Sequence, residues 1–448
     1  METLFPSTII AHISAFKAFF PANNFLYFQG FMLSYMLIGK SRKCVTNIAK
    51  GCFYLDKHIS SIERFISQYQ WDMNGVKATI FQLIRDRLRE ELLVCGAYLA
   101  WVDTTMIPKV KGKMPAVQRW HNHSGNSDNE GYIIGHHWAI AGLVSNVMLG
   151  GTLTTICWPL LTSLISGHLN SLGFIATKDA KNSRVQAMTF WDAVCPLVAQ
   201  IHHLAERVHM RVVADAYFAK ASFINPMLCM GVDVITRMRK DAVGWDDPPP
   251  APVGKKKRGR TQVRGQEWKI SKLLYVLPQE IVNVIIYGKE CDLCVVVKDI
   301  WVRDVCSQKV RVVIIKNAKE PMILLSTDLT LSAAQIIYIY ALRFSLELAI
   351  RDLKQHFGIG DYQCHASLPI NRFVGLSLIG FCLWRLSLIT DIEATWLQSD
   401  DQTSILSFTK ISRAVRRFVL QGIFHKSASN ADFNKDTAIP NEMLRLVI

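Results

Sequence analysis

Asp103, Asp215 and Glu347 are the side chains of this sequence whose setting suits chemistry. Asp103 closes the apolar run AYLAWVD and Asp215 closes RVVAD, so each is expected at the C-terminal end of a buried strand. Open α/β sheets carry their ligand sites at such strand ends. Taken singly, an Asp after a strand is usually a turn or a cap. Three carboxylates gathered by one sheet are another matter, because hard Mg²⁺ prefers oxygen ligands and keeps positions open for substrate oxygens. Two such ions about 4 Å apart, with Mn²⁺ able to substitute, activate an attacking water or 3′-hydroxyl and stabilise the leaving oxygen of a phosphodiester. That chemistry needs no protein nucleophile.

Glu347 lies in LSAAQIIYIYALRFSLELAIRDLKQHF, which reads as one long helix. At about 100° per residue, Tyr340, Arg343, Glu347 and Lys354 share an arc of roughly 60°, with Arg351 beside them and Leu342, Leu346, Ala349 and Leu353 opposite. A Glu near Arg and Lys on a helix is often only a solvated salt-bridge face. With two strand-end acids for company, the same face suits a metal ligand surrounded by phosphate clamps.

The elements that must position these residues follow from the apolar patterning. Residues 1–92 repeat apolar positions at three and four and form an N-terminal helical domain, in which VTNIAKGCFYLDKHISSIERFI outlines a possible DNA-binding helix-turn-helix. Residues 93–241 are short apolar runs around one helix near 188–207, the first part of an α/β core. Residues 242–320 open with three prolines and the basic cluster Lys255, Lys256, Lys257, Arg258, Arg260 and Arg264, then continue as strands that include LLYVLP. Residues 321–398 return to the core with the Glu347 helix, and residues 399–448 hold a basic amphipathic helix and a tail, with Ile411, Val415 and Phe418 on one side.

Composition agrees with a nucleic-acid partner. The 448 residues carry 51 Lys and Arg against 36 Asp and Glu, a net charge of +15 with pI near 9.3, which favours a polyanion. Half the residues are hydrophobic, too many for a disordered chain. Eleven scattered cysteines do not form a secreted framework, and Cys291 and Cys294 read as opposite faces of one strand rather than a zinc pair. The first residues lack a cleavable basic leader. The charge-free span 138–167 reads as strands and a turn, and Phe373–Trp384 as too short to cross a bilayer, so no transmembrane helix is expected. His121, His123, His136 and His137 read as structural or phosphate-contacting side chains.

The spacing of Tyr340, Arg343, Glu347 and Lys354, as Y-x-x-R-x-x-x-E-x-x-x-x-x-x-K, resembles the Y-R-E-K signature of bacterial insertion-sequence transposases of the DDE superfamily. The resemblance extends over approximately residues 95–385, through WVDTTMIPKVKGK, VVADAYF and the basic GKKKRGR segment. It implies a ribonuclease H-like catalytic core with a mostly β insertion between the second Asp and the Glu. It implies Asp103, Asp215 and Glu347 as catalytic metal ligands, and Tyr340, Arg343, Lys354, Arg351 and the basic cluster as DNA contacts. It further implies cleavage and strand transfer at the terminal inverted repeats of the element, by a homodimer on paired ends, in the bacterial cytoplasm at the nucleoid. Alternatives are a ribonuclease H-like nuclease or resolvase without strand transfer, and a catalytically silent DNA-binding derivative. Ala-Tyr-Phe after Asp215 departs from the Arg-Gly-Tyr of many relatives, and Trp245 and Trp268 are the candidates for stacking a flipped base as some relatives do, a buried Trp being the commoner role for each.

Overall fold

The computed structural model describes residues 4–39, 41–55, 57–109, 114–121, 131–166, 190–250, 264–302, 305–316, 320–391 and 407–429. The basic cluster at 255–260 and His123 lie outside these residues.

The chain begins with helices α1 (Ser7–Ser14), α2 (Ala22–Leu37), α3 (Val45–Gly51), α4 (Ile59–Ser67) and α5 (Met73–Leu88). His58 and Asp72 cap α4 and α5, each accepting a hydrogen bond from the backbone N–H two residues on. Then come β1 (Leu93–Val94), β2 (Ala97–Pro108), β3 (Gln118–His121), β4 (Tyr132–Leu149) and β5 (Thr152–Ile165). Helix α6 (Phe190–Leu204), β6 (Met210–Ala214), α7 (Ala221–Cys229) and β7 (Val232–Met238) follow. β8 (Val243–Trp245), β9 (Glu267–Lys269), β10 (Glu280–Ile286), β11 (Lys289–Val302), β12 (Lys309–Ile315) and β13 (Met322–Ser326) lead to α8 (Ala333–Ala341), α9 (Phe344–His356), α10 (Ser367–Thr390) and α11 (Phe408–Ser429).

All the described strands join one sheet. Its core half runs β5-β4-β2-β6-β7, with β5-β4-β2 antiparallel and β2-β6-β7 parallel, joined through α6 and α7. This mixed five-strand order with crossover helices is the ribonuclease H-like arrangement. The mostly β segment between Asp215 and Glu347 does not form a sheet of its own: β13 pairs antiparallel with β7, and β12, β11 and β10 extend the same sheet outward.

Three expectations are corrected. LLYVLP is no strand; Ile270–Tyr275 is a short 3₁₀ helix. The long helix is broken at Leu342–Arg343 into α8 and α9, where Arg343, Ser345 and Leu346 all bond back three residues rather than four. Phe373–Trp384 is the middle of the 24-residue α10, which runs through Arg385, whose guanidinium bonds Asp352 Oδ2 at 3.3 Å.

Ala333–His356 and Ser367–Thr390 are both long and apolar enough to cross a membrane, and 94% of the most apolar stretch of the second is buried inside the protein. What buries α10 is the N-terminal helices on one side and β5 on the other. Trp384 Nε1 donates to Met32 O at 2.9 Å, and Arg372 Nη1 donates to Ile66 O in the last turn of α4 and to Tyr69 O just beyond it. Helix α11 packs on α2 with Ile411, Val415 and Val419 buried, while Phe418 is only half-buried.

Candidate functional site

Register brings the two aspartates together. β2 and β6 run parallel, with Trp101 and Val213 as their last paired residues; Asp103 and Asp215 each follow two residues further along, near enough for the charge of Asp215 to act on Asp103. Asp103 is not at a strand end. β2 continues to Pro108, paired with β4, and places Asp103 opposite Ile140. What ends near Asp103 is the parallel partner, which leaves one side of β2 open there. Asp215 immediately follows the end of β6 at Ala214, and its Oδ1 accepts the Tyr217 N–H at 2.9 Å, fixing the turn that follows.

Glu347 enters from α9, which packs against β2 and β5. Arg343 joins it to the pair: Nη2 donates to Glu347 Oε1 at 2.7 Å and Nη1 lies 3.8 Å from Asp103 Oδ2. Asp103 is the least exposed acid of the two that Arg343 touches, at 18% against 49% for Glu347. Burial, with the charges of Asp215 and Glu347, outweighs the Thr104 N–H and Arg343 and pushes the Asp103 carboxyl up to about 6. A carboxylate so placed is short of positive charge.

The remaining residues of the helix divide. Tyr340, on α8, is half-buried, its hydroxyl pushed above the usual phenol range by burial, with Arg343 5.9 Å from its ring. Lys354 is exposed on α9 and reaches Met106 O at 3.5 Å, so it lies along β2 beyond Asp103. Arg351 is exposed, 3.7 Å from Asp352, and makes no described contact with the acids.

Neither tryptophan offers a face. Trp245 is 6% exposed on β8 and covered by Arg264, while Trp268 is half-buried on β9 and donates to Asp246. An aromatic pair missed in the sequence forms at the start of α9. Tyr287, at the tip of the β10–β11 hairpin, packs edge-on against Phe344 with ring centroids 5.2 Å apart, and the two are 68% and 45% exposed. Phe344 neighbours Arg343 on α9. The available signal was a Tyr-Gly pair between two apolar runs; in the structure both residues take positive φ, the two-residue turn of a hairpin.

Other candidate ligands have partners. His136 shares its ring nitrogens between Tyr362 Oη and Pro115 O. Cys291 and Cys294 bond Lys289 O and Gln279 Oε1. His209, Asp233 and Asp328 have ligand atoms within 4.8 Å of one another, but Asp328 is engaged by Arg211 at 2.8 Å and by both the N–H and hydroxyl of Thr330, and Asp233 accepts from Thr327. With a guanidinium already neutralising its most buried carboxylate, that cluster ties β6 to the end of β13 and is a poor cation site.

Two family models match the chain. One, described as DDE superfamily endonuclease, matches residues 24–273 and spans Asp103 and Asp215; the other, described as Transposase DDE domain, matches residues 172–380 and spans Asp215 and Glu347. No curated protein matches.

Proposed function

Since the chain belongs to the DDE superfamily of endonucleases and transposases, we propose that it cuts DNA at the terminal inverted repeats of its own insertion sequence and joins the freed 3′-hydroxyls to a target, with Asp103, Asp215 and Glu347 holding two Mg²⁺ ions. One observation carries the assignment of residues: Asp103 and Asp215 each follow by two residues the last pair of the parallel strands β2 and β6, and Arg343 links Asp103 to Glu347. The all-oxygen donor set and the raised Asp103 carboxyl fit a hard divalent cation. Such ions, held by these oxygens, supply Lewis acidity to both the attacking and the leaving oxygen of a phosphodiester.

The protein's own share is placement. Thr104 N–H holds Asp103 Oδ1 at 2.7 Å and Tyr217 N–H holds Asp215 Oδ1, so neither carboxylate must be ordered at the moment of reaction. Lys354, along β2 from the acids, and exposed Arg351 provide phosphate contacts on one face of α9. Tyr287 and Phe344 offer aromatic surface for an unstacked base of the cleaved end, the part assigned in the sequence to Trp245 or Trp268. Tyr340, Arg343, Glu347 and Lys354 serve as the Y-R-E-K residues in this reading, and the basic segment 255–260 adds salt-sensitive affinity for phosphates. Two copies pair the ends, in the cytoplasm of a bacterial host.

End-bearing DNA incubated with target plasmid and Mg²⁺ tests the reading. Cleavage and joined products are expected from the wild type. Neither is expected from Asp103→Ala, Asp215→Ala or Glu347→Ala, which retain DNA binding because the basic surface is intact. Cleavage without joining favours a nuclease, and full activity in any of the three variants refutes the assignment.

A further inference from the structure

Arg343 sits where local helix energetics offer little reason for it. It precedes Glu347 by four residues, the weaker orientation for such a helical pair, and its side chain makes no capping bond at the start of α9. The carboxylates account for it. The break at Leu342–Arg343 sets the guanidinium between Glu347, at 2.7 Å, and Asp103, at 3.8 Å, with only 22% of the side chain exposed.

We propose that Arg343 is an internal counter-cation that competes with divalent metal for Asp103 and Glu347, and that DNA relieves the competition by offering the guanidinium a phosphate. The inference rests on reading the three acids as metal ligands. Guanidinium stays charged at any physiological pH and has no lone pair for a metal, so it can only oppose a second cation at the same oxygens. Its planar fork matches phosphate as well as carboxylate, so a DNA backbone close to α9 is an alternative partner of the same kind. Whatever DNA adds to metal affinity, metal must add to DNA affinity, since the coupling is reciprocal. The free protein therefore holds Asp103 and Glu347 against the Arg343 guanidinium, and loads metal together with substrate.

The test is Mn²⁺ titration of the full-length protein without DNA, with free Mn²⁺ followed by electron paramagnetic resonance, on wild type, Arg343→Gln and Arg343→Lys. Arg343→Gln is expected to bind Mn²⁺ on the order of five- to tenfold more tightly, each tenfold corresponding to about 1.4 kcal/mol. Arg343→Lys, which keeps the charge, should stay near wild type. In a companion measurement by fluorescence anisotropy, Ca²⁺ should strengthen binding of an end duplex more for wild type than for Arg343→Gln. Unchanged or weaker Mn²⁺ binding by Arg343→Gln overturns the proposal. If that binding nevertheless disappears in Asp103→Asn, the metal-centre reading stands alone; if no variant binds Mn²⁺ in a way that depends on Asp103, both fall. Equal melting temperatures of Arg343→Lys and wild type in chelator would show that the comparison is made between folded proteins.

Discussion

Replacing Asp103 by Asn separates what the acid does for chemistry from what it costs the fold. Burial first, then the charges of Asp215 and Glu347, lift the carboxyl from 3.8 to about 6 against the opposing pull of Thr104 N–H and Arg343. Each pH unit of displacement is worth about 1.4 kcal/mol, so the ionised acid costs the folded protein about 3 kcal/mol relative to the unfolded chain. The sign follows from which form folding favours. A raised carboxyl prefers its proton in the folded state, so the cost is absent below 3.8, grows as pH rises through the window, and is complete above about 6. Asn carries no such cost, and its amide oxygen can still accept the Thr104 N–H. In chelator, Asp103→Asn should therefore melt a few degrees above wild type at neutral pH, and the gap should close as pH is lowered through the window. Adding Mn²⁺ should narrow the gap, because it stabilises only the protein that binds it, and the variant should not cleave DNA. An Asn variant less stable than wild type throughout in chelator, or an advantage that ignores pH, refutes the reasoning.

Arg211→Ala should lower stability by about 3–5 kcal/mol, because it strands the buried Asp328 carboxylate, and the wild-type melt should show no chelator effect traceable to Asp328 in an Asp328→Asn comparison. Tyr287→Ala should leave the melting temperature unchanged, since the ring is 68% exposed, yet cut end cleavage about tenfold if stacking there is worth about 1–2 kcal/mol; undiminished cleavage removes the hairpin tip from the site. Lys354→Ala should weaken binding alike for end and unrelated duplexes and reduce the slope of log affinity against log salt by about one, and an unchanged slope denies it a phosphate contact.

Much of the site was legible as residue types at fixed places along the chain. The apolar runs before Asp103 and Asp215 could only be buried strands, and the spacing of Arg343 and Glu347 by one helical turn made them neighbours before any fold was known. Local chemistry decides such features, because they depend on a few adjacent residues. Position within the assembly was another matter. That Asp103 sits mid-strand depends on a partner far away in the chain, β4 beside β2, and the contacts of Arg343 with Asp103 and of Arg385 with Asp352 likewise join distant segments. The same holds for the aromatic pair, since Tyr287 and Phe344 are 57 residues apart and meet only because α8 packs across β10. Sequence alone determined which side chains could carry charge, strand or helix, because those are properties of short segments. Only the tertiary structure decided which of them meet and how deeply each acid is buried, because pairing register and desolvation belong to the whole sheet rather than to any stretch of it.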